Sequence, residues 1–234
     1  MSAWVDIFAP PASGKSSICD PLADDRAIER QWGGGFDYPA DWRMFLETLP
    51  PLLELIRPHE RPVPTRSGST TSINAMVGML NRNLRKMAVV SQMQGAPYIG
   101  TAFAMRGVGI GWRLLDMGYD PRLVRSYFWT MPVSTGCAYL KCSPETLKMR
   151  NRARRDVVET SWEDRSFQID LQLPVIEILK EVLRERGVPL LELDTEHQSI
   201  EDARDQLVDF AYQGASYREA LRSGGEVAVL PASA

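Results

Sequence analysis

The stretch "IFAPPASGKSSI", residues 7–18, decides how the rest of the chain is read. It closes on Gly14-Lys15-Ser16, the end of a phosphate-binding loop, and it sits between "WVDIFA" (4–9), a short apolar β-prone run, and a helical pattern opening at "GKSSICDPLADD". Strand, glycine-containing turn and helix start together are the context in which such a loop works. Its chemistry is that of the backbone: successive N–H groups line a concave nest, and a helix N-terminus adds its positive end. The donors expected here are Ser13, Gly14, Lys15, Ser16 and Ser17. Pro10 and Pro11 precede them, so their missing N–H groups cost little. Lys15 is placed to reach the β- and γ-phosphates of a nucleoside triphosphate, and the Ser16 hydroxyl to hold Mg²⁺. The departure is Ala9, which stands where a first glycine is usual and narrows the backbone freedom of the turn.

Downstream, short apolar runs alternate with helical patterns. "KMAVVSQ" (86–92), "GCAYLKC" (136–142) and "VPLLELDT" (188–195) read as buried strands. Helical spacing is read at 40–60, broken by Pro50 and Pro51, and at 72–87. From 95 to 132 helical pieces are expected, cut at Gly107 to Gly111 and again at Gly118 to Pro121. "SPETLKMRNRARR" (143–155) has a defined start: Ser143 as cap, Pro144 in the first turn and Glu145 at the positive end. Helices follow at 170–187, capped by Gly187, and at 199–214. The order predicts an α/β fold, a three-layer sandwich of the P-loop NTPase kind with a mainly parallel sheet and helices on both faces. Ligands of such sheets lie beyond the C-terminal strand ends, where the loop at 9–16 falls. A single domain over 1–220, a lid around 148–166 and a loose tail over 221–234 complete the expected organisation.

Composition narrows the classes. Of 234 residues 44% are hydrophobic and 24% charged, as in a globular protein. No apolar run approaches the ~20 residues of a membrane span, and the N-terminus has no secretion signal. The three cysteines, Cys19, Cys137 and Cys142, form no CxxC or zinc pattern, so structural thiols in a reducing cytoplasm are expected. The two histidines, His59 and His197, lie in polar, loop-like text and are not taken as catalytic. A net charge of −3 gives no global basic field for nucleic acid. "MAVVSQMQG" lacks the acidic end of a motor ATPase strand, and no NKxD string reads guanine.

One segment speaks to the reaction. "YFWTMPVSTGCAYLKCSPETLKMRNRARR" (127–155) resembles the matching region of the P-loop nucleoside and nucleotide kinases, in which a "vYL" strand, a polar turn, a Ser-Pro-Glu helix start and an arginine-rich lid follow one another. "VPLLELDT" resembles that family's last strand, whose following loop lies near the adenine. The resemblance covers most of 4–212, patchily. It implies ATP as donor, Mg²⁺, and a nucleoside or nucleotide hydroxyl as acceptor. Arg150 and Arg154, four apart on one helical face, are then the lid arginines, placed to stabilise charge on the transferred group. Arg106 takes the place of an arginine beyond the third strand, although Met105 stands where deoxynucleoside kinases put an acidic partner. Gly107, Gly109 and Gly111 would let backbone approach a substrate. The acidic group orienting the acceptor should fall in "RAIERQWGGGFDYPADW": Asp37 is chosen, with Asp41 and Glu29 as rivals.

The strings "QMQG", "RGVGIGWRL" and "YFWTMP" further resemble the phage kinases that phosphorylate 5-hydroxymethyluracil within DNA during thymidine hypermodification. That resemblance implies a polymeric acceptor, base flipping, and phosphate contacts from Arg82, Arg85 and Lys86. Free deoxynucleosides or their monophosphates are the alternative acceptors, and a nucleotide-binding regulatory module is the alternative of another class.

Overall fold

The computed structural model describes residues 4–19, 63–64, 70–71, 98–100, 103–131, 134–153 and 162–223. In chain order these form β1 (Trp4–Phe8), α1 (Lys15–Cys19), β2 (Val63–Pro64), β3 (Thr70–Thr71), β4 (Tyr98–Gly100), α2 (Phe103–Asp116), α3 (Pro121–Thr130), β5 (Gly136–Lys141), α4 (Pro144–Ala153), α5 (Trp162–Glu185), β6 (Leu190–Asp194) and α6 (Ile200–Ser223). β2 and β3 pair antiparallel as a small separate ladder. The other four strands make one parallel sheet in the order β4-β1-β5-β6. The chain moves to one side of β1 for β4 and then crosses to the other for β5. The direction of winding therefore reverses at β1, the place where open parallel sheets hold ligands.

Both faces of the sheet are covered, and the strand residues alternate between them. Val5 and Ile7 of β1, Ala138 and Leu140 of β5 and Leu193 of β6 are buried with Ile18 of α1 and Ala203, Leu207 and Ala211 of α6. Phe8, Cys137 and Tyr139 face the other way, against α2, α3 and α5. Phe8 stacks on Tyr139 with ring centroids 5.3 Å apart. The buried carboxylate of Asp6 also lies on this second face, and its Oδ2 accepts the Ala104 amide at 2.8 Å, satisfying a donor in the first turn of α2.

Local chemistry accounts for the helix ends. α3 starts where Asp120 accepts the Arg122 amide at 2.8 Å and Pro121 fills the first turn. α4 starts where the Ser143 hydroxyl accepts the Thr146 amide at 3.2 Å. α5 ends at the left-handed Gly187, as its sequence predicts.

Several expectations are corrected. Tyr98–Gly100, inside a stretch that reads as helical, is the strand beside β1. α2 runs unbroken through Gly107, Gly109 and Gly111, which in the sequence read as cuts and as points of backbone approach to a substrate. A Cβ at Gly111 would lie 2.6 Å from Val175 Cγ1 and 2.9 Å from Val124 Cγ1, and one at Gly107 would lie 2.7 Å from Met131 Sδ. These two glycines are therefore contact points where α2 packs closely on α3 and α5. α5 begins at Trp162 rather than 170 and continues past Pro174. α6 reaches Ser223, beyond the expected end at 214 and three residues into the stretch expected as tail. The strand expected at 86–92, the helices at 40–60 and 72–87, and residues 154–161 of the lid lie outside the described residues.

Gly111→Ala tests the packing of α2. Alanine gains about 1 kcal/mol of intrinsic helix propensity, whereas forcing a methyl against two valines costs about 1–3 kcal/mol. The variant is expected to unfold at lower urea than the wild type; an unchanged or higher midpoint would show that α2 can draw back from α5 without loss.

Candidate functional site

The loop between β1 and α1 leaves the sheet at its C-terminal edge. Ala9 is buried among Val5, Ile7 and Ile18. Its φ is not positive, so a methyl is tolerated where a glycine was expected. The turn is made further on: Ala12 has φ +66° and Gly14 has φ +88°. Ala12 therefore carries the strain that the sequence assigns to Ala9, at a cost of about 1–2 kcal/mol for a left-handed non-glycine residue. A Cβ at Gly14 would meet nothing within 4 Å, so backbone conformation and not crowding calls for glycine. The Gly14 carbonyl accepts the Ile18 amide at 3.1 Å and closes the first turn of α1. The amides of Lys15, Ser16 and Ser17 fall in that first turn, where an N–H has no intrahelical acceptor. Ser13 is buried, and its Oγ has no hydrogen-bond partner among the described residues. Lys15 is half-buried; Ser16 and Ser17 are exposed.

A cleft of about 340 Å³ opens beside this loop. Ala12, Gly14, Ser17 and Ile18 line one side; Arg150 of α4, Thr195, Gln198 and Ser199 of the turn after β6, and Ile200 and Ala203 of α6 line the other. That second wall is built by polar contacts. The Thr195 amide and hydroxyl donate to the Lys141 carbonyl at 3.0 and 3.1 Å. Asp194 Oδ1 accepts the amides of Glu196 and His197. Ser199 caps α6, its hydroxyl accepting the Asp202 amide at 3.0 Å and donating to the Asp202 carboxylate at 2.8 Å.

The same turn clamps α4 at both ends. Glu196 accepts the Ser143 amide at 2.8 Å, the Ser143 hydroxyl at 3.0 Å and the Thr146 hydroxyl, all at the N-terminus of α4. Arg150, in the last turn, donates to the Thr195 carbonyl at 2.7 Å. The Thr146 hydroxyl first, then the Ser143 amide and hydroxyl, hold the Glu196 carboxyl down to about 2. His197 lies on the surface, its pKa raised by the hydrogen bond to Asp194 and by that carboxylate's charge.

The structure thus brings Gly14 and Ser17 together with Arg150 in one cleft, and Ser13, Lys15 and Ser16 belong to the same loop and first turn. Arg106 is half-buried in the first turn of α2, on the opposite face of the sheet from α1 and α6. Asp37, its rivals Asp41 and Glu29, and Arg154, Arg82, Arg85, Lys86 and His59 lie outside the described residues. Sequence reasoning missed Glu196, Thr195 and Gln198. Their only signal was position, immediately beyond the last strand. All three cysteines are free. Burial, with the Asp6 charge next, pushes the Cys137 thiol up and makes it inert. Among the described residues no helix is long and apolar enough to cross a membrane.

No family model matches the sequence, and no curated protein matches it. Among solved structures the chain is similar to deoxyadenosine kinase from M. mycoides with bound dATP, at 13% identity and a TM-score of 0.51, over 89% of this chain and 98% of that one. The structure of the same enzyme with products dCMP and a flexible dCDP bound aligns at 12% identity and a TM-score of 0.49, over 90% and 99%. At such identity the likeness is one of fold: a parallel α/β sheet of the P-loop kinase type.

Because Glu196 is held below its ordinary value of 4.5, the stability it contributes is complete above about pH 4.5 and is lost as pH falls towards 2. Glu196→Gln should lower the urea midpoint at pH 7, and the gap to wild type should narrow steadily between pH 4.5 and 2.5. A gap that stays constant over that range would mean that the ionised carboxylate is not what holds α4 to the turn.

Proposed function

We propose that this chain is an ATP-dependent kinase that transfers the γ-phosphate to a hydroxyl of a nucleoside. The observation that carries the reading is the meeting, in one cleft at the C-terminal edge of a parallel sheet, of the Ala12–Ser17 loop with Arg150 and the turn after β6. The loop supplies what a triphosphate needs: first-turn amides, a lysine and a helix N-terminus. Ile18, Ala203 and Ile200 give the cleft apolar lining, which suits the flat apolar body of a base.

In this reading the amides of Ser13 to Ser17 bind the phosphates, and Lys15 neutralises charge between the β and γ groups. Ser16 is the described residue that would hold Mg²⁺, in the first turn with its hydroxyl exposed, and the ion when bound neutralises the phosphate oxygens. Arg150, with Arg154 beyond it on the lid, faces the donor; Arg106, reached from the other face, serves the acceptor side. Asp37 orients the acceptor hydroxyl and takes its proton as the new P–O bond forms and the bond to the bridging oxygen breaks, leaving ADP. Phosphoryl transfer asks for positioning and charge stabilisation, and these residue types supply both.

The likeness in fold to a deoxyadenosine kinase supports a free deoxynucleoside as acceptor over hydroxymethyluracil within DNA. The test is transfer from γ-labelled ATP with Mg²⁺ to free deoxynucleosides, their monophosphates, duplex DNA containing hydroxymethyluracil and ordinary thymine DNA. Label is expected in a free deoxynucleoside, with kcat/KM reduced about a hundredfold or more by Lys15→Ala. Label in the modified DNA alone would replace the acceptor. ATP binding without transfer to any acceptor would overturn the kinase in favour of a nucleotide-binding regulatory module.

A further inference from the structure

We infer that Gln198 selects the base of the phosphate donor, favouring adenine over guanine; the inference rests on the reading of the cleft as the donor site. Gln198 stands on the turn after β6, and its backbone is fixed by an amide hydrogen bond to the Asp194 carbonyl at 3.1 Å. Gln198 lines the cleft, and its Oε1 is shielded from solvent with no hydrogen-bond partner among the described residues. A shielded, unpaired carbonyl oxygen leaves its desolvation uncompensated. A ligand that brings an N–H donor to this wall of the cleft would satisfy that oxygen.

The neighbouring polar groups on this wall are already engaged. The Thr195 hydroxyl donates to Lys141, the Ser199 hydroxyl is committed to Asp202, and the Arg150 guanidinium is drawn to the Thr195 carbonyl. Gln198 is the side chain of the turn left to read an edge. Around it Ala12, Ile18, Ala203 and the exposed Ile200 present apolar surface to the face of a ring.

The chemistry of a carboxamide then decides the base. Adenine offers an N–H donor beside a ring-nitrogen acceptor, which pairs with both atoms of the carboxamide at once. Guanine on its corresponding edge offers two acceptors, O6 and N7. It engages only the amide nitrogen and sets its O6 against Oε1. Discrimination therefore comes from a matched pair on one side and an opposed acceptor on the other. Arginine, with two parallel donors, has the reverse preference.

The test is equilibrium binding of ATP, GTP and purine riboside triphosphate, which lacks the exocyclic amine, to the full chain, with thermal melting to confirm folding. Wild type is expected to bind ATP about tenfold or more tighter than GTP. Gln198→Ala should weaken ATP about tenfold while leaving GTP and purine riboside triphosphate within about twofold. Gln198→Arg should move the ATP-to-GTP ratio towards GTP, which a merely structural role for Gln198 would not do. Equal weakening of all three nucleotides in Gln198→Ala, or an unchanged ratio in both variants, would overturn the assignment while ATP binding by wild type stands. Failure of the donor-site reading looks different: wild type binds none of the nucleotides, or Lys15→Ala binds them as tightly as wild type, and either result overturns both.

Discussion

Parallel pairing of β1 with β5 and of β5 with β6 is the constraint on which the rest depends. Phe8 is in register with Tyr139, and Lys141 with Asp194, so the three strands end within a residue or two of one another. Everything that follows them, the loop at 9–14, the start of α4 and the turn at 195–199, must therefore emerge along the same edge. No single side chain imposes this convergence. It follows from burial of alternate residues on both faces, since slipping any strand by one residue would send Val5 and Ile7, or Ala138 and Leu140, to the wrong layer.

Convergence alone would leave three loops near each other without fixing their separation. The turn after β6 does that, through opposite charges at opposite ends of one short helix. Glu196 sits at the positive end of α4, and Arg150, near the negative end, donates to the carbonyl one residue before Glu196. Each charge complements the helix dipole where it lies. The helix that leads into the arginine-rich segment is thus fixed to the turn that walls the cleft, and not merely packed near it. The wall of the cleft and α4 therefore form one unit.

Much of the fold was legible because it rests on local signals. β1, β5 and β6 are short apolar runs, α4 announces itself by a serine cap and a proline, and α5 by a glycine after its last turn. What misled was glycine. Gly107 and Gly111 read as breaks, because in isolation glycine weakens a helix. In the structure they are where neighbouring helices come too close for a methyl, a reason that lives in Val124, Val175 and Met131 and in no window around 107–111. β4 was missed for a related cause: three residues, Tyr98–Gly100, carry no period of their own and become a strand only by pairing with β1. In the site, the loop was readable from its motif. Glu196 was not, because its partners, Ser143 and Thr146, lie about fifty residues back in the chain.

The position of strain in the loop follows from the same separation of local from tertiary causes. A motif comparison places the irregularity at Ala9, since a glycine is usual there. The backbone places it at Ala12, because Ala9, directly after β1, is buried and packs with Ile7 and Ile18, while the chain reverses three residues later. Pro10 and Pro11 hold the intervening backbone near φ −65°, which leaves the left-handed step to the residue after them. β1 then serves two sides at once. Its backbone runs into the strained turn that presents the amides, and its Asp6 side chain reaches the other face to hold the first turn of α2, from which Arg106 projects. A displacement of this one strand would shift both, so β1 carries the spacing between the loop and Arg106.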